Sequence, residues 1–210
     1  MALVLALDVS SSVGEAEDRL QRDGLARALL SPDVQDAFFA SSDPVALQIF
    51  EWSGRGHQTN LRDWMIVQNA TDLQTVAAAL TASRRTARGL PTAMGHALAY
   101  ASLMLQRAPV CAFQTIDIAG DGANNAGFGS EIVYTAFPFE GVTVNGLVVQ
   151  TGNDAALEYY ENSVIRGPLA FVEVADGFAD FEATMRRKLI RELSSQIIGR
   201  GAKISIEGQG

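Results

Sequence analysis

The sequence is poor in the residues that form disulfides and soft metal sites. Its 210 residues include one cysteine, Cys111, and two histidines. A single cysteine cannot form a disulfide within the chain, and it cannot build a cysteine metal cluster. The histidines, His57 and His96, lack partners at the spacing of metal ligands, so a histidine-rich zinc site is not expected. The cysteine count is compatible with any cellular compartment.

Positive charge and long apolar runs are also scarce. The chain has 16 Lys and Arg against 24 Asp and Glu, which gives a net charge of −8 and a pI near 4.7. A nucleic-acid partner is therefore not expected, because phosphate binding requires a basic face. Apolar runs end at a charge or a glycine after at most seven residues, so no membrane span is expected either.

The remaining composition is that of an ordinary globular protein. Hydrophobic residues make up 48% of the chain and charged residues 19%, which is too apolar for a disordered protein. The length suits one α/β domain with a large core and is short for two. We therefore predict a single domain over residues 1–200 and a flexible tail over residues 201–210, which contains the segment SIEGQG.

Stretches that predict strands alternate with stretches that predict helices. The alternation predicts a mostly parallel sheet with helices on both faces. Only the segment SGRGHQ joins the second and third strands. It is too short for a helical crossover, so the third strand should be an antiparallel edge strand. The predicted strands cover residues 3–8, 44–52, 59–67, 113–119, 142–149 and 169–175, and the predicted helices cover residues 15–30, 72–83, 92–107 and 179–198.

Three segments place polar side chains where ligands bind in such a sheet. Ligands bind at the carboxyl ends of the strands, near the point where the strand order reverses. The segment DVSSSV ends the first strand with Asp8, Ser10 and Ser12. The segment GLPTAMGHAL opens a helix with Thr92, and TIDIAGDGANN ends a strand before Asp121.

Each of these segments also has a purely local explanation. Ser12 and Glu15 match a capping box, and Thr92 is suited to cap the helix that follows it. Asp121 belongs to an Asp-Gly pair, which is a common turn sequence. Asp117 lies inside a predicted buried strand, where a carboxylate needs hydrogen-bond donors that the sequence does not identify.

Taken together, the three segments favour a metal site. They supply two carboxylates and three hydroxyls at one edge of the sheet, and such hard oxygen ligands suit Mg²⁺, Mn²⁺ or Ca²⁺. Two negative charges leave the cation with an open position that attracts a further carboxylate.

The same residues resemble the von Willebrand factor A (VWA) domain and its metal-ion-dependent adhesion site (MIDAS). That site reads Asp-x-Ser-x-Ser, then a threonine that opens a later helix, then an aspartate in an Asp-Gly turn. The resemblance covers the chain from Leu3 to about Ile198. It implies a three-layer, Rossmann-like α/β fold with a six-stranded sheet in the order 3-2-1-4-5-6, in which the third strand is antiparallel. It also implies a metal site formed by Asp8, Ser10, Ser12, Thr92 and Asp121.

The sequence departs from the family pattern at two places beside the ligands. Ser11 stands where the family often has glycine, and Leu90 and Pro91 precede the threonine where glycines are common. The stretches ALQIFEWSG and IDIAGDGANN resemble an uncharacterised bacterial subgroup of such domains. Members of that subgroup carry an export signal, which implies a periplasmic or secreted protein. The alternative is a cytoplasmic protein, since no leader precedes the first strand here.

The resemblance implies a binding module and not an enzyme. Its bound cation would engage an Asp or Glu side chain of a protein partner, with no catalytic residue and no organic cofactor. The alternative is a Mg²⁺-dependent hydrolase on a similar sheet. In the haloacid-dehalogenase type, however, an aspartate stands where this chain has Ser10, so a general acid and a metal ligand are missing. The G-x-S-x-G elbow and the G-x-G-x-x-G loop are also absent from the sequence.

Overall fold

The structure is a computed structural model that describes residues 1–152 and 154–207, with side chains described up to Ser194. All six predicted strands are present in it, and the fifth has the predicted bounds. The strands are β1 (Ala2–Asp8), β2 (Val45–Trp52), β3 (Gln58–Val67), β4 (Gln114–Gly120), β5 (Val142–Val149) and β6 (Val172–Ala175).

The four predicted helices are present, and three shorter helices accompany them. The short helices have between five and eight residues, which is too few for an apolar period to stand out in the sequence. A π-helical turn at Tyr160–Val164 and a 3₁₀ turn at Phe178–Asp180 complete the elements discussed below. The helices are α1 (Glu15–Leu30), α2 (Pro32–Phe39), α3 (Ala70–Ala82), α4 (Met94–Leu105), α5 (Ser130–Ala136), α6 (Ala155–Tyr159) and α7 (Phe181–Glu207).

The strands form one sheet in the order β3-β2-β1-β4-β5-β6. β3 pairs with β2 in antiparallel register, and the other neighbouring pairs are parallel. This order and the antiparallel edge strand confirm the predicted fold. The strand order reverses at β1 and β4, so the carboxyl ends of these two strands flank the crevice where such sheets bind ligands.

Hydrophobic side chains pack on both faces of the sheet, and β1 is therefore buried along its whole length. Leu3, Leu5 and Leu7 pack toward α1, α3 and α7, whereas Val4 and Ala6 pack toward α4 on the other face. The alternation follows from the two-residue period of a strand. The sheet and its helices therefore hold the end of β1 in a fixed position.

A buried ion cluster ties α7 to the middle of the sheet. The Lys188 Nζ atom lies 2.7 Å from a carboxylate oxygen of Asp117 on β4 and 2.6 Å from one of Glu192. Asn145 on β5 donates a hydrogen bond of 2.8 Å to Glu192. Lys188 thus places a positive charge beside Asp117 inside its strand, and the sequence did not identify this partner.

The predicted end of the last helix near residue 198 is too early. α7 continues to Glu207, so residues 201–207 are helical and not an irregular tail, and residues 208–210 of the predicted tail lie outside the described residues. Gly199 and Gly201 suggest a helix end, but a glycine costs a helix only about 1 kcal/mol and does not stop it. Among the described helices, none combines the length and hydrophobicity that a membrane crossing requires.

Candidate metal centre

Asp8 ends β1 and is fully buried. Its Oδ1 atom accepts a hydrogen bond of 2.7 Å from the Ser10 backbone N–H, which folds the following loop back over the strand end. Gln21 on α1 donates a hydrogen bond of 3.0 Å to the Asp8 carbonyl. The Asp8 Oδ2 atom has no hydrogen-bond partner among the described residues, so it is an acceptor for a bound cation or water.

Ser10 and Ser12 link the first loop to Asp121. The hydroxyl of Ser12 donates a hydrogen bond of 2.7 Å to Asp121 Oδ1 and lies 3.2 Å from the hydroxyl of Ser10. The capping role for Ser12 is therefore wrong, because its hydroxyl turns toward Asp121. Gly14 stands at the N-cap of α1 instead, and its N–H donates a hydrogen bond of 2.6 Å to the Glu17 carboxylate.

Thr92 is held beside Asp121 by the loop that follows β4. The Thr92 N–H donates a hydrogen bond of 2.8 Å to the Asn125 side chain, and the Thr92 carbonyl accepts one of 2.9 Å from the Asn125 N–H. A Cβ atom on Gly122 would lie 3.6 Å from the Thr92 hydroxyl oxygen, so this hydroxyl adjoins the turn that carries Asp121. The capping role for Thr92 is wrong, since α4 begins at Met94 with Ala93 as its N-cap.

The floor of the site is formed by Gly120 and Tyr160. A Cβ atom on Gly120 would lie 2.8 Å from both Asp8 Oδ2 and the Tyr160 hydroxyl, so only glycine fits at this end of β4. Tyr160 belongs to the π-helical turn, a feature that is frequent at functional sites. Burial, followed by the charge of Asp8, raises the pKa of Tyr160, and the phenol therefore remains a proton donor at neutral pH.

Arg85 stabilises the Asp8–Ser12 loop by hydrogen bonds to its backbone. Its guanidinium donates hydrogen bonds of 2.5 Å to the Val13 carbonyl and 2.7 Å to the Val9 carbonyl, with a longer one of 3.4 Å to the Ser10 carbonyl. Its Nε atom donates to the Ala87 carbonyl at 2.8 Å. One side chain thus binds the carbonyls on either side of the serine ligands and fixes the curvature of their loop.

The segment that carries Arg85 is itself anchored to a buried ion pair. Glu51 at the end of β2 accepts hydrogen bonds of 2.9 Å and 2.5 Å from the backbone N–H and the hydroxyl of Thr86. Arg22 on α1 is fully buried and donates to Glu51 and, at 2.8 Å, to Asp18. Through these contacts the segment before Thr92 keeps a defined position although it has no regular secondary structure.

The electrostatics of the site favour a cation. Burial raises the pKa of Asp8 from an ordinary 3.8 to about 7, and burial also raises the pKa of Asp121. A divalent cation would lower both values, because it stabilises the ionised carboxylates. No group of three or more His, Cys, Asp and Glu side chains suited to a metal occurs within the described residues, so the hydroxyls have to complete any coordination shell. Two carboxylates with three hydroxyls match the preference of Mg²⁺, Mn²⁺ and Ca²⁺ for hard oxygen ligands.

The structure brings the five predicted site residues together at one edge of the sheet and adds residues that the sequence did not reveal. Arg85, Asn125 and Tyr160 act over long sequence distances, which a local pattern cannot display. The nearest signal was the density of arginine in RRTARG, which precedes Thr92. His96 does not take part, since its ring stacks on Phe128 with centroids 4.1 Å apart.

Solved structures of low sequence identity share this fold. Proximal thread matrix protein 1 from the mussel byssus, in a structure with a zinc-occupied MIDAS motif, has a TM-score of 0.66 and 14% identity over 92% of this chain and 47% of that chain. A von Willebrand factor type A protein from Catenulispora acidiphila has a TM-score of 0.63 and 14% identity over 91% of this chain and 42% of that chain. The pilus adhesin SpaC from Lactobacillus rhamnosus GG has a TM-score of 0.63 and 17% identity over 92% of this chain and 31% of that chain. This chain therefore has the VWA fold, and it spans about half the length of the mussel protein.

Sequence comparison assigns the chain to a family. No curated protein matches the sequence at a significant level. A family model described as "Protein of unknown function (DUF1194)" matches residues 1–197. Because the match covers most of the sequence, the chain belongs to this family.

Proposed function

We propose that this protein is a metal-dependent binding module. A divalent cation, Mg²⁺, Mn²⁺ or Ca²⁺, is held by Asp8, Ser10, Ser12, Thr92 and Asp121 and accepts the carboxylate of an Asp or Glu residue on a protein partner. The protein acts as an adhesion or scaffold component and not as an enzyme.

The observation that carries this proposal is the path of contacts from Ser10 through Ser12 to Asp121. It joins residues that are up to 109 positions apart in the sequence, and the buried Asp8 Oδ2 atom beside it has no described partner. A buried carboxylate oxygen without a donor is costly, and a bound cation removes that cost. Such a cluster is therefore better explained as a cation site than as a set of helix caps.

The open position of the cation suits a ligand better than a reacting water. Glu15 and Glu17 are the acidic residues that follow the serine loop. Glu17 accepts a hydrogen bond from Gly14, and Glu15 is 77% exposed with its carboxylate 3.3 Å from Arg88. A carboxylate that is turned to solvent or bound at the start of the helix is poorly placed to remove a proton from a water on the cation.

An exported location accords with this proposal. The compared structures include a matrix protein of the mussel byssus and a pilus adhesin. Their likeness supports our proposal that this protein is periplasmic or secreted.

Titration calorimetry with Mg²⁺, Mn²⁺ and Ca²⁺ tests the metal site. The wild-type protein should bind one cation, and Asp121→Ala should weaken binding by at least tenfold, because it removes one of two formal charges. Ser10→Ala should have a smaller effect, and Asp36→Ala on the exposed face of α2 should have none. Equal affinities for Asp121→Ala and Asp36→Ala would show that the cation binds elsewhere.

Phosphatase assays on the Mg²⁺-loaded protein test the enzymatic alternative. With p-nitrophenyl phosphate and with nucleoside triphosphates, the rate should not exceed that of the Asp121→Ala variant. Turnover that requires Asp121 would replace the binding module with a metal-dependent hydrolase.

A further inference from the structure

Positive charge is concentrated in one part of this acidic chain. The sequence has no Asp or Glu from residue 73 to residue 116, although the whole chain has a net charge of −8. The same stretch contains four arginines, and three of them, Arg84, Arg85 and Arg88, precede the candidate ligand Thr92. The clustering of charge of one sign can favour an anionic partner locally on a protein whose net charge is negative.

These three arginines line a groove with Arg19 of α1. The groove has a volume of about 620 Å³, and its walls also contain Glu15, Ala16 and Asp18. We call it the arginine groove. It adjoins the candidate metal centre, because Arg85 binds the carbonyls of Val9 and Val13, which flank the serine ligands.

Two guanidinium groups in the arginine groove are available to a partner. Arg84 is exposed, its hydrogen bond is a long one of 3.3 Å to the Ser83 carbonyl, and it forms no ion pair with a described side chain. Arg88 lies 3.3 Å from Glu15, but the two side chains are 74% and 77% exposed. An ion pair as exposed as this one contributes little and exchanges readily for a better one.

The acidic residues of the groove do not cancel this charge. Asp18 already accepts a hydrogen bond of 2.8 Å from the buried Arg22 beneath it. Glu15 is shared with Arg88, so Arg84 has no carboxylate partner among the described side chains. Arg19 lies 3.4 Å from Asp23 and donates to the Thr81 carbonyl, which directs its side chain along the groove.

We propose that the arginine groove binds acidic residues that flank the metal-bound carboxylate of a protein partner. The inference rests on the proposed function and extends it: the partner presents an acidic segment and not a single Asp or Glu. A peptide fits better than a nucleic acid, because one short acidic segment can place one carboxylate on the cation and further carboxylates beside the adjacent arginines. A longer polyanion would meet the net negative charge of the rest of the chain.

Fluorescence anisotropy with synthetic peptides tests the groove. One labelled peptide alternates Glu and Ser, and the matched peptide keeps its central Glu and has Gln at the other acidic positions. In Mg²⁺ the wild-type protein should bind the Glu-rich peptide more tightly than the matched peptide. The double variant Arg84→Glu/Arg88→Glu should lose about tenfold in affinity for the Glu-rich peptide, since two attractive charges become repulsive.

Matched variants distinguish the contribution of the arginine groove to peptide binding from that of the metal centre. Arg107→Glu reverses an exposed charge at the end of α4, and it should leave the affinity for the Glu-rich peptide within about twofold of wild type. The double variant should bind Mg²⁺ as wild type does, because neither Arg84 nor Arg88 contacts a candidate ligand. In EDTA the wild-type protein should keep a weak binding of the Glu-rich peptide that is sensitive to salt and that the double variant lacks.

Different failures of this experiment have different meanings. The groove proposal is overturned if the Glu-rich peptide does not bind, or if the double variant binds it as tightly as Arg107→Glu does. It is also overturned if oligothymidylate of equal charge binds through Arg84 and Arg88 more tightly than the peptide, which would assign the groove to nucleic acid. Absence of Mg²⁺ binding, with the arginine-dependent binding in EDTA intact, would instead overturn only the metal-based part of the proposed function.

Discussion

Two pairs of carboxylates in this protein, of which only Asp121 is partly exposed, differ in whether the chain supplies their cation. Asp117 and Glu192 lie on either side of Lys188, whose Nζ atom is within 2.7 Å of an oxygen of each. Asp8 and Asp121 stand at the carboxyl edge of the same sheet, and neither forms an ion pair with a described side chain.

The difference separates a structural cluster from a binding site. An internal lysine lies between the two carboxylates of the first cluster and ties α7 to β4. The second cluster has the hydroxyls of Ser10 and Ser12 in the corresponding place. Buried acidic groups should therefore be assessed together with their nearest cation, because the carboxylates alone look alike in the sequence.

Replacement of Lys188, the positive charge of the first cluster, should have the largest effect on stability. Lys188→Met leaves Asp117 and Glu192 buried together without a positive charge, and breaking a buried pair in this way costs about 3–5 kcal/mol. Urea unfolding at pH 8 measures the loss. The neighbouring Arg187→Met is the control, since that side chain is 54% exposed and its loss should cost no more than about 0.5 kcal/mol. Similar losses for the two variants would mean that the cluster does not stabilise α7.

The pH dependence of stability should reveal the excess negative charge in the Lys188 cluster. Burial, followed by the charge of Glu192, raises the pKa of Asp117 from 3.8 to about 7. The unfolded chain loses this proton at a lower pH than the folded chain, so the cost of ionising Asp117 is absent below about pH 4 and grows until about pH 7. Asp117→Asn removes this cost, and the unfolding free energy of the variant should rise relative to wild type by on the order of 2 kcal/mol between pH 5 and pH 8.

Urea unfolding of both proteins at these two pH values, in EDTA, provides the measurement. The comparison with wild type cancels the titration of groups that the substitution leaves alone. A difference between variant and wild type that stays constant with pH would show that Asp117 ionises at its ordinary pKa.

The smallest effect on stability is expected for a substitution at the metal centre when no cation is bound. This substitution should stabilise the protein, whereas Lys188→Met should destabilise it. Asp8→Asn removes a buried charge, and the amide oxygen can still accept the hydrogen bond from the Ser10 N–H. In EDTA at pH 8 the variant should be more stable than wild type by about 1 kcal/mol. Thermal unfolding measures this change, with Asp36→Asn as the control. A less stable Asp8→Asn variant would assign Asp8 a structural role.

The fold was predictable because its signals are local. The apolar run that ends at Asp8, the short connection SGRGHQ and the alternation of strands with helices follow from neighbouring residues, and each was present as predicted. The positions of Asp8 and Asp121 were predictable for a related reason, since the carboxyl ends of the parallel strands β1 and β4 meet at one edge.

The contacts within the site were not predictable, because they join distant segments. Local rules assigned Ser12 to a capping box with Glu15, whereas its hydroxyl binds Asp121. Arg85 binds the Val9 carbonyl over 76 positions. Rules based on periodicity or turn sequences cannot predict such a contact, because the two residues meet only after the sheet and its helices have formed.

The anchoring of Arg85 limits how the centre could be transferred by protein engineering. Five oxygen ligands grafted onto another parallel sheet would lack the guanidinium that curves the serine loop and the Glu51 carboxylate that holds Thr86 in place. The smallest transplantable unit is therefore the three segments that carry the ligands together with Arg85, Arg22 and Glu51. The centre thus depends on a large part of this edge of the sheet and not on a short motif.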